Sequence, residues 1–321
     1  MMSIRRFAFI AGAAALLAAC AGPTSAPPGP TLAETGIYSA GQGSAFLPYA
    51  QGLAAYLSAN GLKTQALESR GSIENLQKVD AEPQRLGTAF LGTVYEAVNG
   101  SGSWTSGKKH ANVRALFPMY ETSFQIAALR GSGLASLKQL TGKRVGVGPP
   151  NAPAEVFFKG LAEAVGVNAT LVTGTPAALG ADLLAGRIDA LWLGAGLPIP
   201  PIKDITDRVD AVVFGLTDDE QAAMLRRFPY LNAATVAPGM YRGQAQAIKS
   251  VTAWNFVVAH KDLAEADAYW ITRTVLGAPD PKAMHISAGP TRAANAPNNT
   301  VVPFHPGALR YYREQGIAGV K

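Results

Sequence analysis

The sequence predicts an α/β protein of two lobes with a ligand cleft between them, on three observations. Gly142 to Gly166 reads as a short strand with Val145 and Val147 alternating with glycines, a Pro149-Pro150 stop, and a helix over Ala154 to Val165 with apolar residues at Val156, Phe157, Leu161 and Val165. Tyr38 to Phe46 forms a second glycine-rich turn that feeds a helix from Leu47 to Ser58. Strand-like and helix-like segments alternate along nearly the whole remaining chain. Turns of this kind place helix N-termini and strand ends together, where small anionic ligands bind in open α/β sheets.

Composition agrees with a globular, extracytoplasmic protein. The 321 residues are 48% hydrophobic and 16% charged, enough apolar surface for packed domains and too much for disorder. The N-terminus carries Arg5 and Arg6, an apolar run from Phe7 to Leu17, and Leu17-Ala18-Ala19-Cys20, the layout of a signal peptide of residues 1–19 ending at a lipobox. Cys20 is the sole cysteine, so no internal disulfide or thiolate metal site can form, and it is read as a lipidation site. Cleavage before Cys20 removes two arginines and no acid, lowering the formal charge from +6 to +4. That charge suits an anionic ligand or a membrane surface and is too diffuse for nucleic acid. Residues 20–31, rich in proline, form a solvated tether.

The folded part begins near Leu32. Gly36 to Ala40 reads as a strand, the helix of Leu47 to Ser58 turns Leu53, Tyr56 and Leu57 inward, and Leu62 to Leu67 is the next strand. The turn Glu68 to Ser72 follows, with Ser72 placed to cap a helix of Ile73 to Val79. Leu86 to Leu91 is a third strand, Thr93 to Val98 a short helix, and Ser101 to Lys109 a loop. Val113 to Leu116 and Phe124 to Leu129 are two strands flanking the more polar Met119 to Ser123. Leu134 to Leu140 is a short helix, Thr170 to Thr173 a strand, Ala177 to Ala185 a helix, and Asp189 to Gly196 an apolar strand ending in glycines. Thr217 to Glu220 reads as a capping box for a helix running to Phe228. Thr252 to Ala259 returns as a strand, and helices over Ala264 to Leu276 and Pro306 to Gln315 close the chain.

The expected division is residues 32–125 and 245–321 in one lobe and 126–244 in the other, with Gln125 and Asn255 at the hinge. The glycine turns, strand ends and hinge make Gly41, Gln42, Gly43, Ser44, Phe46, Arg70, Gly71, Ser72, Asn75, Phe90, Tyr120, Gln125, Pro150, Asn151, Gly194 and Gly196 the candidate ligand-binding residues. Arg70 is the candidate cation, because a guanidinium grips a carboxylate with two parallel hydrogen bonds. Nothing points to catalysis. His110, His260, His285 and His305 show no metal-ligand spacing, and HExxH, CxxC, GxSxG and P-loop motifs are absent, as is the third glycine of a dinucleotide fingerprint. No cofactor or metal is expected. His305 is read as structural, before the terminal helix.

Five segments carry a family resemblance: Gly71 to Leu76, Tyr95 to Gly100, Leu140 to Pro150, Ile188 to Ala190, and above all Val302 to Glu314, VPFHPGALRYYRE. Together they resemble the TAXI family, the solute receptors of tripartite TRAP transporters. The resemblance implies a type II periplasmic-binding-protein fold, with two α/β lobes joined by two crossing strands, a ligand between them, TRAP membrane subunits as partner, and no catalysis. Asn151 to Ala154 replaces the family's Gly-Ser-Gly-Thr, and Phe90 to Gly92 its polar Gln-Ser-Asp, so a larger or more apolar acid than the usual small carboxylate is expected. A monomer lipid-anchored at Cys20 on the periplasmic side of a bacterial membrane follows. The alternative is a lipoprotein sensor or scaffold using the same fold to regulate a membrane partner.

Overall fold

The computed structural model describes residues 29–41, 44–150 and 152–321; Cys20, Gln42, Gly43 and Asn151 lie outside them. The chain opens with β1 (Glu34–Tyr38), α1 (Phe46–Ala59), β2 (Lys63–Leu67), α2 (Ser72–Ala81), β3 (Arg85–Phe90) and α3 (Leu91–Asn99). β1 lies between β2 and β3, parallel to both. Helix α1 buries Leu47, Ala50, Leu53, Ala54 and Leu57, one stripe at i, i+3 and i+4 spacing. Ser72 does not cap α2. The N-cap is Gly71, at φ 102°, a backbone conformation that favours glycine. Ser72 is the first helical residue, and its hydroxyl accepts a hydrogen bond from the Phe90 N–H at 3.1 Å.

The two strands expected on either side of Met119 to Ser123 are a single one, β4 (Val113–Leu129), seventeen residues long. Asn255 ties the polar stretch into the sheet: its side-chain amide donates to Tyr120 O at 2.8 Å and to Thr122 Oγ1 at 3.0 Å. Opposite Pro118, which has no N–H to offer, the pairing shifts register between Trp254 and Phe256.

The second half continues as β5 (Arg144–Gly146), α4 (Pro153–Val165), β6 (Thr170–Val172), α5 (Pro176–Leu184), β7 (Ala190–Ala195), α6 (Pro200–Arg208), β8 (Ala211–Phe214), α7 (Asp218–Arg227), β9 (Asn232–Val236) and β10 (Ile248–His260). The expected helix at Leu134 to Leu140 is a 3-10 turn over Leu137–Leu140. The capping box of α7 forms as read: Thr217 Oγ1 accepts from the Glu220 N–H and the Glu220 carboxylate from the Thr217 N–H. Helices α8 (Glu265–Leu276) and α9 (Pro306–Glu314) pack on the first half.

One twisted sheet runs in the order β2-β1-β3-β10-β4-β7-β5-β6, with β8 beside β4 and β9 beside β10. Its two longest strands, β4 and β10, are antiparallel neighbours and take part in both lobes. Val113, Ala115 to Phe117, Met119 and Tyr120 of β4, with Trp254 and Phe256 to Ala259 of β10, belong to the core formed with α1, α8 and α9. Phe124, Ile126 and Ala128, with Val251 and Ala253, belong to the core formed with α4 and α7. A third cluster, on the opposite face of the sheet, joins α5, α6, Ala127 and Leu191. This is the two-lobed periplasmic-binding-protein fold.

Candidate ligand-binding cleft

On the first lobe, the turns after β1 and β2 sit side by side. The Ser39 N–H donates to Leu67 O at 2.9 Å, and Asn75 ties both turns to β3. Its side-chain amide donates to Ser39 O at 2.6 Å and Thr88 O at 2.8 Å, while its Oδ1 accepts from the Ser69 hydroxyl at 2.6 Å. Asn75 is completely buried, so its polar atoms are spent on the fold: it positions the rim and has nothing left for a ligand. The Ser44 N–H donates to Gly41 O at 3.2 Å, and Ser44 Oγ accepts from the Phe46 N–H.

Arg70 stands at this rim with its side chain 87% exposed. Glu74 Oε2 accepts from both its Nε and its backbone N–H, at 2.9 and 3.0 Å. That contact holds the Glu74 carboxyl below its ordinary range. Any acid gripped by Arg70 has to compete with this carboxylate.

On the second lobe, the rim consists of the turn after β5, where Gly148 has φ 80° and Pro150 is exposed, and the turn after β7. Gly194 serves packing: a Cβ there would lie 2.2 Å from Phe124 Cε1, so only glycine lets that ring lie against β7 and stack on Trp192 at 5.7 Å. Gly196 has open space around it, its nearest neighbour being Tyr120 Cδ2, 4.0 Å from a Cβ placed there. The rim of one lobe thereby meets the floor strand of the cleft.

That floor is the middle of β4. Tyr120 is buried beneath Phe46 and Tyr49, with ring centroids 6.5 and 5.7 Å away, and burial raises its hydroxyl pKa so that it stays protonated. Gln125, 1% exposed, accepts a short hydrogen bond from the Tyr241 hydroxyl, which in turn accepts from the Ile199 N–H at 2.8 Å. Burial pushes the Tyr241 pKa up to about 12, so it remains a donor to Gln125 at any working pH. Tyr241 and Ser123 were not among the residues read from sequence. Tyr241 sits 116 positions from its partner in a segment without periodic signal.

Phe90 is buried. At the end of β3 it meets Phe157 of α4, and Tyr95 of α3 meets Tyr230 at 5.3 Å, so one side of the cleft is closed by aromatic contact between the lobes. The extra apolar character read at Phe90 goes into this seam. Among the described residues no three His, Cys, Asp or Glu side chains are grouped to hold a metal, and no helix is long and apolar enough to cross a membrane. His305 is buried and caps α9, its Nδ1 accepting from the Gly307 N–H.

Two lobes, two crossing strands and facing turns define a chain built like the periplasmic binding proteins, and solved structures agree. An R. palustris protein solved with adipate matches with a TM-score of 0.54 at 15% identity, over 90% of this chain and 95% of that one. The periplasmic binding protein BugD matches with a TM-score of 0.53 at 14% identity, over 90% and 95%. MatC of Rhodopseudomonas palustris, solved with bound malate, matches with a TM-score of 0.50 at 13% identity, over 80% and 88%. At these identities the likeness is one of fold. Residues 37–316 match the model of the NMT1-like family, and the chain belongs to that family.

Proposed function

We propose that this protein is an extracytoplasmic solute receptor that closes on a small organic acid and delivers it to a membrane transporter of the TRAP type. The observation that carries this reading is the continuity of β4 and β10 through both cores. Such strands let two lobes turn about a short hinge while the rim turns of both stay directed at one floor. Within the reading, the lobes divide at residues 125 and 245, Gln125 and Asn255 lie at the hinge, and the rims comprise Gly41, Ser44, Phe46, Arg70, Gly71 and Ser72 on one side and Pro150 and Gly196 on the other. Gln42, Gly43 and Asn151 belong to the same rim turns by sequence. Neighbours of like fold solved with adipate and malate support an organic acid as the class of ligand. The TRAP partner rests on the TAXI resemblance of Val302 to Glu314, and the anchor on the lipobox at Cys20.

The reading is tested by denaturing the protein purified from its native host and identifying released small molecules by mass spectrometry, then titrating the refolded protein with what is found. One acid that rebinds in a one-to-one complex is the expected result. A protein that releases nothing and binds none of a panel of linear mono- and dicarboxylates is not a solute receptor of this kind.

A further inference from the structure

Two buried side-chain donors on β4 have no partner. Ser123 and Gln125 are each 1% exposed, and Ser123 Oγ and Gln125 Nε2 make no hydrogen bond, although buried polar atoms are almost always paired. Two residues apart on a strand, they point to the same face.

The orientation of the Gln125 amide is set by its surroundings. Because the Ile199 N–H donates to the Tyr241 hydroxyl, the tyrosine proton is free to go to Gln125. Gln125 therefore presents its carbonyl oxygen to Tyr241 and turns its two N–H bonds away. With the amide flipped, the tyrosine proton would lose its acceptor in this contact.

Along β4 these donors follow Tyr120 and pair with β7 of the second lobe. Ser123 is the register partner of Ala195, which precedes Gly196, and Gly196 abuts Tyr120. Ile199, at the far end of the Tyr241 bridge, is the N-cap of α6. The positive end of that helix favours negative charge, but Pro200 and Pro201 occupy its first two positions and bring no N–H. Beyond the Ile199–Tyr241–Gln125 bridge, the unpartnered side-chain donors on β4 are Ser123 Oγ and Gln125 Nε2.

We infer that Ser123 Oγ and Gln125 Nε2 hold a carboxylate of the solute, as neutral donors on the floor strand. The assignment rests on the solute-receptor reading and deepens it, by moving recognition of the acid from a rim cation to the hinge strand.

The test uses the mature protein and linear mono- and dicarboxylates, adipate first, with calorimetry and a crystal structure of the best binder's complex. Expected are carboxylate oxygens within hydrogen-bond distance of both donors, and about tenfold weaker binding in Ser123→Ala, the effect of losing one hydrogen bond to a charged group. The melting temperature of unliganded Ser123→Ala stays level or rises, since the hydroxyl removed had no partner; a merely structural serine would lower it. Gln125→Glu keeps an oxygen for Tyr241 and sets a carboxylate oxygen against the ligand, so its loss of affinity exceeds that of Ser123→Ala. An acid bound elsewhere in the cleft, with only water on these donors and wild-type affinity in Ser123→Ala, overturns the assignment and leaves the receptor reading standing. Wild-type protein that binds no acid of the panel overturns both.

Discussion

The ring of Phe90, the last residue of β3, lies 5.8 Å from the ring of Phe157 in α4, so the two lobes touch through aromatic side chains at one edge of the cleft. Phe157 carries the contact onward to Phe124, Phe228 and Tyr230. Gly92 leaves the room: a Cβ there would come within 2.7 Å of Tyr230 and 2.6 Å of Phe90. Phe90→Ala is expected to destabilise the unliganded protein by roughly 3 kcal/mol, the usual cost of emptying a buried phenylalanine site, and to raise its radius of gyration in small-angle scattering as the seam loosens. An unchanged denaturation midpoint and an unchanged scattering curve would show that the contact does not hold the lobes in solution.

Gly52 makes a prediction that runs against helix propensity. In the middle of a helix, replacing glycine by alanine is intrinsically favourable by about 1 kcal/mol. Here α1 passes so close to the 284 segment that a Cβ on Gly52 would lie 1.7 Å from Met284 O, a backbone atom that cannot swing aside. Gly52→Ala is expected to lower the melting temperature, whereas Gly131→Ala, whose Cβ would meet nothing within 4 Å, serves as the neutral control.

How far sequence reaches is visible in these residues. The alternation of strands and helices was legible because each carries its own apolar period, as in α1, and because caps such as Thr217 with Glu220 act over three residues. The unity of β4 was not, since Met119 to Ser123 looks like a polar break until Asn255, well over a hundred residues away, supplies the bonds that keep it in the sheet. α6 was invisible because it opens on two prolines and has only Ile202 and Ile205 as large apolar residues. At the cleft, glycine turns are what the sequence offers as rims, but glycine and asparagine give the same signal when they serve packing. Gly194 yields to a ring and Asn75 staples three strand ends.

Arg70 gives a sharp test of where the acid is recognised. Its side chain is 87% exposed and already paired with Glu74, and exposed pairs of this kind are worth under about 1 kcal/mol. Arg70→Ala is therefore expected to weaken binding of an acid by less than about tenfold and to leave thermal stability nearly unchanged. A loss of a hundredfold or more in calorimetry would mean that closure swings the guanidinium off Glu74 and onto the ligand.

The proposed lipid anchor is tested at Cys20. Two acyl chains give stable anchoring where one does not, so mature Cys20→Ser is expected to leave the membrane pellet for the soluble periplasmic fraction, whereas uncleaved precursor keeps the apolar run Phe7 to Leu17 and is counted apart. Mature Cys20→Ser that fractionates wholly with membranes would refute the lipid anchor.

His305 is 1% exposed, its backbone N–H donates to Ala115 O at 2.9 Å, and its Nδ1 accepts from the Gly307 N–H at 3.2 Å, which leaves the ring neutral with its proton on Nε2. Charging it would place a cation where water does not reach and cancel the cap acceptor, and burial holds its pKa below the ordinary 6.5. The sign follows from linkage: above about 6.5 the ring is neutral in folded and unfolded chain alike, and its contribution is constant. As pH falls below that value the unfolded chain takes up the proton first, so stability declines, at up to about 1.4 kcal/mol per pH unit for this one group, until the folded-state pKa is passed. Burial depresses His285 in the same direction, so part of the slope survives without His305. His305→Asn keeps a side-chain acceptor at the N-cap and removes the titration. Urea midpoints at about pH 7.5 and 5.5 are expected to differ less in His305→Asn than in the wild type. Equal differences in both proteins would mean that the imidazole at the head of α9 is charged at no cost to the fold.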